Sequence, residues 1–380
     1  MKNNGIKNND ILGLPIENSS KELETINLNE TQLKIFNAIY LTARTKSEIS
    51  AIIRVKEKTV ANQLVKIGRK LKHHVLLKIP DNKIEGHYYV IRPKPSNIEL
   101  PPKIYNYRLS ATHPYLIVNL PKTKSGYWTL YPLGDLHYGS EQCDYEAVGK
   151  VLEIIKRDKT AIVLLMGDLA ENALKDSVGT EVYSQIMPPQ EQYESLYEML
   201  VPISDKIIAA LGGNHGYRTT KSAYIDPDEL LAEALQVPYF QGFLYLDIIA
   251  ENDRWEILAG HGRSASSTIT GRINAIKKRS YFHSADIYLM GHVHDQQSFW
   301  DIEVCRDPQT CQLYERRRSY VLCGGFRKPY QGYANIKEYA PLLVGLPRIK
   351  LLISKDKPNP KIQSNYVVEI GSGAYKGIWQ

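Results

Sequence analysis

The chain has only four cysteines in 380 residues, Cys143, Cys305, Cys311 and Cys323. That is too few for a disulfide scaffold, and their spacing is not that of a zinc knuckle. Cys305 and Cys311 flank a turn-like RDPQT and read as free thiols on neighbouring strands, with pairing on oxidation as the alternative. No segment approaches the roughly 18 uncharged apolar residues of a membrane span. The opening MKNNGIKNNDILGLPIENSS lacks the apolar stretch of a signal peptide. A cytoplasmic protein with no membrane partner is the expectation. There is no internal repeat. Acidic residues are scarce in one place. Between Arg44 and Lys94 four acids stand against thirteen basic residues, while the chain as a whole is +7. The basicity therefore belongs to one N-terminal segment, and it points to a polyanionic partner.

That segment is patterned. Residues 1–26 show no apolar periodicity and read as a flexible tail. Asn29 with Gln32 resembles a capping box, and Leu33, Phe36, Ile39 and Tyr40 follow at helical spacing. Thr45 with Glu48 repeats the start signal ahead of Ile49, Ile52 and Ile53. A third helix, from about Lys56 to Leu71, turns Val60, Leu64 and Ile67 inward. Its outer face carries Lys58, Thr59, Asn62, Gln63, Lys66, Arg69 and Lys70. Two strand-like runs, HHVLLKI and HYYVI, are joined by PDNKIEG. Over residues 27–92, three helices and a hairpin resemble a winged helix-turn-helix. The resemblance implies that the third helix enters the major groove of DNA. Lys and Arg suit phosphates there, and Asn62 and Gln63 suit base edges. A plain solvated helix and a protein-docking face share this composition.

Residues 93–125 are Pro-rich and read as a linker with one strand, YLIVNL. From 126 to 370 strands and helices alternate, the signature of a layered α/β fold. Five apolar runs, read as consecutive strands, end in Gly and a polar residue. They give Asp135 and His137 (GDLHYG), Asp168 (MGDLAEN), Asn214 and His215 (GGNHGYR), His261 (AGHGRS), and His292 and His294 (MGHVHD). The i, i+2 pairs would share one face of an extended segment. A lone His near a strand end is more often structural, but five such endings in order are a different matter.

In order they read D-x-H, G-D, G-N-H, H and G-H-x-H. Across residues 126–325 this resembles the calcineurin-like metallophosphoesterase superfamily, and GDLAEN…GNHGYR looks closer to its DNA-exonuclease and phage-type branches. The resemblance implies a four-layer α/β sandwich. It implies one metal held by Asp135, His137, Asp168 and His294, and a second by Asp168, Asn214, His261 and His292, with a bridging hydroxide as nucleophile. Imidazole and carboxylate ligands without thiolate suit Mn²⁺, Fe or Zn²⁺, and Mn²⁺ is the choice for nuclease-like members. His215 is the catalytic histidine on this reading. The acid that usually follows it is replaced by Gly216, so either another acid such as Glu171 orients the ring or His215 acts by positioning alone. Arg218, Arg263 and Arg272 are candidates for clamping substrate phosphate, and the segment SSTITGRINAIKKRSYF reads as a helix capped by Ser266 or Ser267. The leading expectation is a DNA nuclease. The alternatives are a phosphomonoesterase or small-nucleotide phosphodiesterase with a regulatory winged helix, and a DNA-binding scaffold with a degenerate metal site.

Overall fold

The structure is a computed structural model. It describes residues 29–39, 46–70, 76–79, 87–90, 100–175, 177, 181–264, 266, 268–328, 342–354 and 365–371. The chain divides into two compact units, Met1–Asn97 and Ile98–Gln380.

The first unit comprises α1 (Glu30–Ile39), α2 (Lys46–Ile53), α3 (Glu57–Lys70), β1 (Leu76–Ile79) and β2 (His87–Val90). Asn29 and Gln32 exchange backbone-to-side-chain hydrogen bonds at 3.2 and 2.9 Å, which satisfies two donors at the start of α1. Thr45, read as a second cap, lies outside the described residues, as does the tail 1–26. Ile35, Ile49, Val60, Leu64 and Ile67 are buried and form the small core. β1 and β2 pair antiparallel.

The second unit holds β3 (Asn106–Leu109), β4 (Tyr115–Leu120), β5 (Tyr127–Leu133), α4 (Tyr145–Arg157), β6 (Ala161–Leu165), α5 (Pro189–Leu200), β7 (Ile207–Leu211), α6 (Asn214–Ala223), α7 (Pro227–Ala234), β8 (Tyr239–Phe240), β9 (Phe243–Ala250), β10 (Asp253–Gly260), α8 (Ile269–Lys277), β11 (Ile287–Met290), β12 (Gln296–Arg306), β13 (Leu313–Cys323), β14 (Arg348–Leu352) and β15 (Tyr366–Glu369). One sheet runs β15-β14-β5-β6-β7-β8 and the other β12-β13-β11-β10-β9-β4-β3. Trp128, Leu130, Leu164 and Ile208 of the first sheet pack with Leu246, Trp255, Ile257 and Leu289 of the second in the central core. On the far side of the first sheet, Val151 and Ile155 of α4, Leu196 of α5 and Leu231 of α7 form a second core. Ile276 of α8 covers the outer face of the second sheet with Tyr288 and Tyr320. The architecture is thus helices, sheet, sheet, helix. β6 and β7 are buried along their whole length, which is why they read as unbroken apolar runs.

Three particulars differ from the sequence reading. The Pro-rich stretch supplies two strands rather than one. β4 lies parallel to β9 in the second sheet, with Leu116 and Val118 fully buried. Pro101, Pro102, Pro114 and Pro121 lie outside β3 and β4 and leave the strand interiors free. The five motif-bearing strands are β5, β6, β7, β10 and β11. They are not consecutive, because β8 and β9 intervene, and they belong to two sheets. α8 is capped by Thr268, whose hydroxyl accepts the Gly271 N–H at 3.2 Å, rather than by Ser266 or Ser267.

Candidate metal centre

The motif residues meet at one end of the two sheets. Asp135, His137 and His294 form one group of donors, and Asp168, His261 and His292 another. Asp168 also lies with His137 and His215. Asn214 Oδ1 is 3.0 Å from His261 Nε2 and 2.7 Å from His292 Nδ1. All seven expected ligands are therefore gathered.

The i, i+2 pairs get there by an unexpected route. Asp135 and His137 lie beyond the end of β5, and neither is extended. Asp135, His137, Asp168, His292 and His294 all have φ between 48° and 68°. For residues with a Cβ this left-handed conformation costs about 1–3 kcal/mol each, and it persists where surrounding structure enforces it. Part of the enforcement is visible. Asp135 accepts the His292 N–H at 2.8 Å, and Asp168 accepts the His215 N–H at 2.9 Å. At Gly213 a Cβ would fall onto the Asp168 carboxylate, so only glycine lets the Asn214 loop approach.

The donor atoms suit cations. His137 donates Nδ1–H to Glu171 Oε2 at 2.9 Å, leaving Nε2 to face the centre. His261 donates Nδ1–H to the Met166 carbonyl at 2.9 Å, with the same result. His137 Nε2 and His294 Nε2 stand 3.1 Å apart. His294 Nε2 is 3.5 Å from Asp135 Oδ1, a buried oxygen without a hydrogen-bond partner. Ligands about 2.1 Å from one ion lie roughly 3.0–3.4 Å apart; the 3.1 Å spacing falls within that range and the 3.5 Å spacing just beyond it.

Electrostatics agree. Burial, then the neighbouring His215 and Arg327, holds the His137 imidazole well below the usual range. Burial, then His137 and Arg327, does the same for His294. Both rings are thus neutral ligands. Burial pushes the Asp135 carboxyl up to about 7. Burial opposes the charge on Asp168 as well, but His261 and His215 overcome it and hold this carboxyl well below the carboxylate range. Its partner His261, at 3.0 Å, is raised to about 10 against its own burial.

His215 is buried beside the centre, and its ring is fixed by backbone. Nδ1–H donates to the Glu171 carbonyl at 2.5 Å. Arg218 donates to Nε2 at 3.1 Å. Glu171 therefore orients His215 through its main chain, while its carboxylate serves His137. The missing acid after His215 has a steric reason. A Cβ at 216 would lean on the Asp228 carboxylate, which accepts from Gly213 N–H at 3.0 Å and from Tyr193 O–H at 2.8 Å. Arg263 is exposed on the loop after His261.

Three supporting residues escaped the sequence reading. Asn172 donates to the His215 carbonyl at 2.7 Å, Arg327 lies 3.7 Å from Glu171, and Asp228 fills the space beside Gly216. Arg272 of α8, expected as a phosphate clamp, is buried and pairs with Asp295 at 3.1 Å, anchoring the residue after His294. Asn172 belongs to the GDLAEN run and was within reach of sequence. Asp228 and Arg327 stand away from the motifs and gave no signal.

In the first unit, Lys58, Asn62 and Lys66 are exposed on α3 at intervals of four, one helix face. Thr59 is half-buried. Gln63 accepts from Gln32 at 3.0 Å and is engaged inside the unit. The side chains of Arg69 and Lys70 lie outside the described residues.

Residues 131–296 match the family model described as calcineurin-like phosphoesterase. This region is a calcineurin-like metallophosphoesterase domain, and its match together with the His/Asp groups supports metal-dependent phosphoester hydrolysis. No curated protein matches the chain. Solved structures similar to it include Vps29 complexed with Zn²⁺ from Entamoeba histolytica, at 11% identity over 63% of this chain and 98% of that one, TM-score 0.29. A predicted phosphoesterase from Streptococcus pneumoniae has 13% identity over 64% and 98%, TM-score 0.26. A metallophosphoesterase from Sphaerobacter thermophilus has 16% identity over 64% and 86%, TM-score 0.30. Among the described residues no helix is long and apolar enough to cross a membrane.

Proposed function

We propose that this protein is a two-metal phosphodiesterase that cleaves nucleic acid, DNA in the first place, with Mn²⁺ as the working ion. The observation that carries it is the donor cluster: Asp135, His137, His294, Asp168, His261 and His292, joined by Asn214, are oxygen and nitrogen donors without a thiolate. Asp135, His137, His294 and Asp168 would hold one ion, and Asp168, Asn214, His261 and His292 the other; two divalent ions bound there would supply positive charge for phosphoryl oxygens and for activating water. The chain's own residues do the rest. Glu171 keeps His137 in the ligating tautomer. His215 and Arg218 face the reacting phosphate together. A phosphate oxygen that accepts from Arg218 draws the guanidinium off His215 Nε2 and frees that nitrogen for proton transfer.

The first unit supports the choice of DNA. Its helix order, hairpin and basic face fit a winged helix-turn-helix, with Lys58 and Lys66 on phosphates and Asn62 toward bases. Gly216 is no mark of a degenerate site, because Asp228 occupies the space of a side chain there.

The test is one panel. Purified protein with Mn²⁺ is offered single-stranded DNA, duplex DNA, RNA, a small diester and a small monoester. Metal-dependent cleavage of DNA in preference to the monoester is expected. Strong monoester preference contradicts the nuclease reading.

A further inference from the structure

We infer that the exposed face of α6 is a track for single-stranded DNA leading away from the metal centre, with bases laid on Tyr217 and Tyr224 and a phosphate held by Lys221 between them. This rests on the phosphodiesterase reading and names the form of substrate that the centre takes. Asn214, Tyr217, Lys221 and Tyr224 follow one another at spacings of three, four and three residues, so they share one face of the helix. All four are exposed. His215, Gly216 and Ala223 are buried on the opposite face, and Thr219 beside them donates to Asn172 at 3.2 Å.

The track begins at a ligand. Asn214 Oδ1 lies 3.0 Å from His261 Nε2 and 2.7 Å from His292 Nδ1. Asn214 is the exposed member of the seven, whereas Asp135, His137, Asp168 and His261 are buried and His292 and His294 half-buried. The centre is therefore open to solvent on the side where α6 starts. Helical side chains lean toward the N-terminus and cover the preceding turn. Tyr217 thus lies over the turn that holds Asn214, and Arg218, leaning in the same sense, reaches His215 Nε2 at 3.1 Å. Lys221 leans back toward Tyr217. The ten residues of α6 carry this face roughly 15 Å from the centre.

Two features suit this face to a strand of nucleic acid. The first is charge. α6 has no acid, although acids are favoured in a first turn, and its charged residues are Arg218 and Lys221. Cations set among aromatic rings follow a phosphate backbone while successive bases stack, and an unpaired strand has its base faces free. The second feature is Tyr224. It ends the helix in left-handed backbone, φ 56°, where glycine is the ordinary residue and a bulky side chain costs strain. Burial does not offset that strain, because Tyr224 is 86% exposed, and Tyr217 is 52% exposed. Aromatic surface left open at both ends of Lys221, and running up to a metal ligand, has the order of a stacking track.

The test compares a single-stranded oligothymidylate with bis(p-nitrophenyl) phosphate on the full chain with Mn²⁺. Tyr217→Ala lowers the ratio of the two kcat/KM values about ten-fold, the worth of one stacked base, and Tyr217→Phe retains it. Tyr224→Ala lowers the ratio in the same direction. Lys221→Ala reduces the slope of log kcat/KM against log salt for the oligonucleotide by about 0.7, the share of one phosphate on a single strand. A ratio unchanged in both tyrosine-to-alanine variants overturns the inference and leaves the phosphodiesterase. An equal fall on a hairpin-capped duplex, whose bases have no free face, overturns the assignment to single strands. Photo-crosslinking of a 5-iododeoxyuridine oligonucleotide, with Ca²⁺ in place of Mn²⁺, separates the track from the parent reading. Trypsin parts the two tyrosines at Arg218 and Lys221, so mass spectrometry tells them apart. A crosslink on Tyr217 or Tyr224, with no diester hydrolysed in Mn²⁺, removes the phosphodiesterase and leaves the track. A crosslink on neither tyrosine, with no diester hydrolysed, removes both.

Discussion

The two ends of β6 and β7 are both polar and both buried, yet they differ in kind. At the N-terminal end, Lys206 donates to the carbonyls of Ile155, Lys156 and Asp158 at 2.7, 2.9 and 2.7 Å. Thr129 and Thr160 bond each other at 3.0 Å, and Tyr131 donates to Asp158 at 2.8 Å. These donors meet acceptors, and the group closes α4 onto the sheet. At the C-terminal end, ring nitrogens face ring nitrogens, the Asp135 Oδ1 acceptor is orphaned, and five residues sit in left-handed backbone. One end holds the fold by itself. The other is complete only when a third party of positive charge joins it.

That contrast can be broken at several points. The largest effect belongs to His137→Ala. It deletes a ligand, and several kcal/mol of charge stabilisation go with a displaced ion. Phosphoesterase kcat falls about a thousand-fold, read with a chromogenic diester. Glu171→Gln leaves the ligands and removes the carboxylate that orients His137. Losses on the order of 10–100-fold in metal affinity or activity are expected, read as the Mn²⁺ concentration for half-maximal rate.

The next effect is pH dependence. The His261 imidazole is raised to about 10 by Asp168, with burial opposing. A raised value means that the proton competes with a cation for Nε2. Mn²⁺ affinity therefore falls as pH falls, about ten-fold per unit at this site between pH 8 and 6, measured by titration calorimetry. The smallest effect on the site is expected from the opposite end. Lys206→Met strands three carbonyls and costs about 2 kcal/mol of stability. It lowers the urea midpoint and leaves kcat alone. A change in metal affinity there would erase the distinction between the two ends.

The same contrast explains what the sequence could show. That Asp135, His137, Asp168, Asn214, His261, His292 and His294 belong together was legible because each follows an apolar run, and chain order carries that signature. How they converge was not. The i, i+2 spacing suggested strand faces, whereas left-handed turns beyond the strand ends place these side chains, and φ is invisible in a residue list. The two-sheet layout was also hidden, because β9 pairs with β4 and β14 with β5, strands far back in the chain that no local pattern names. Orientation of His215 was legible only as a gap. The gap is filled by a main-chain carbonyl, which has no sequence signature, and by Asp228 from another helix. In the first unit, the apolar periodicity of α3 was readable, but the engagement of Gln63 with Gln32 depends on how α1 packs.

The central claim is that one end of this sandwich is built for two cations sharing Asp168. Protein stripped with a chelator and titrated with Mn²⁺ under calorimetry, beside Asp168→Ala, tests it most directly. Two equivalents bound by the native chain, with uptake at both positions lost or severely weakened in the variant, is the predicted result. Native protein that takes up no Mn²⁺, or a variant that still binds two equivalents with native affinity, would contradict it.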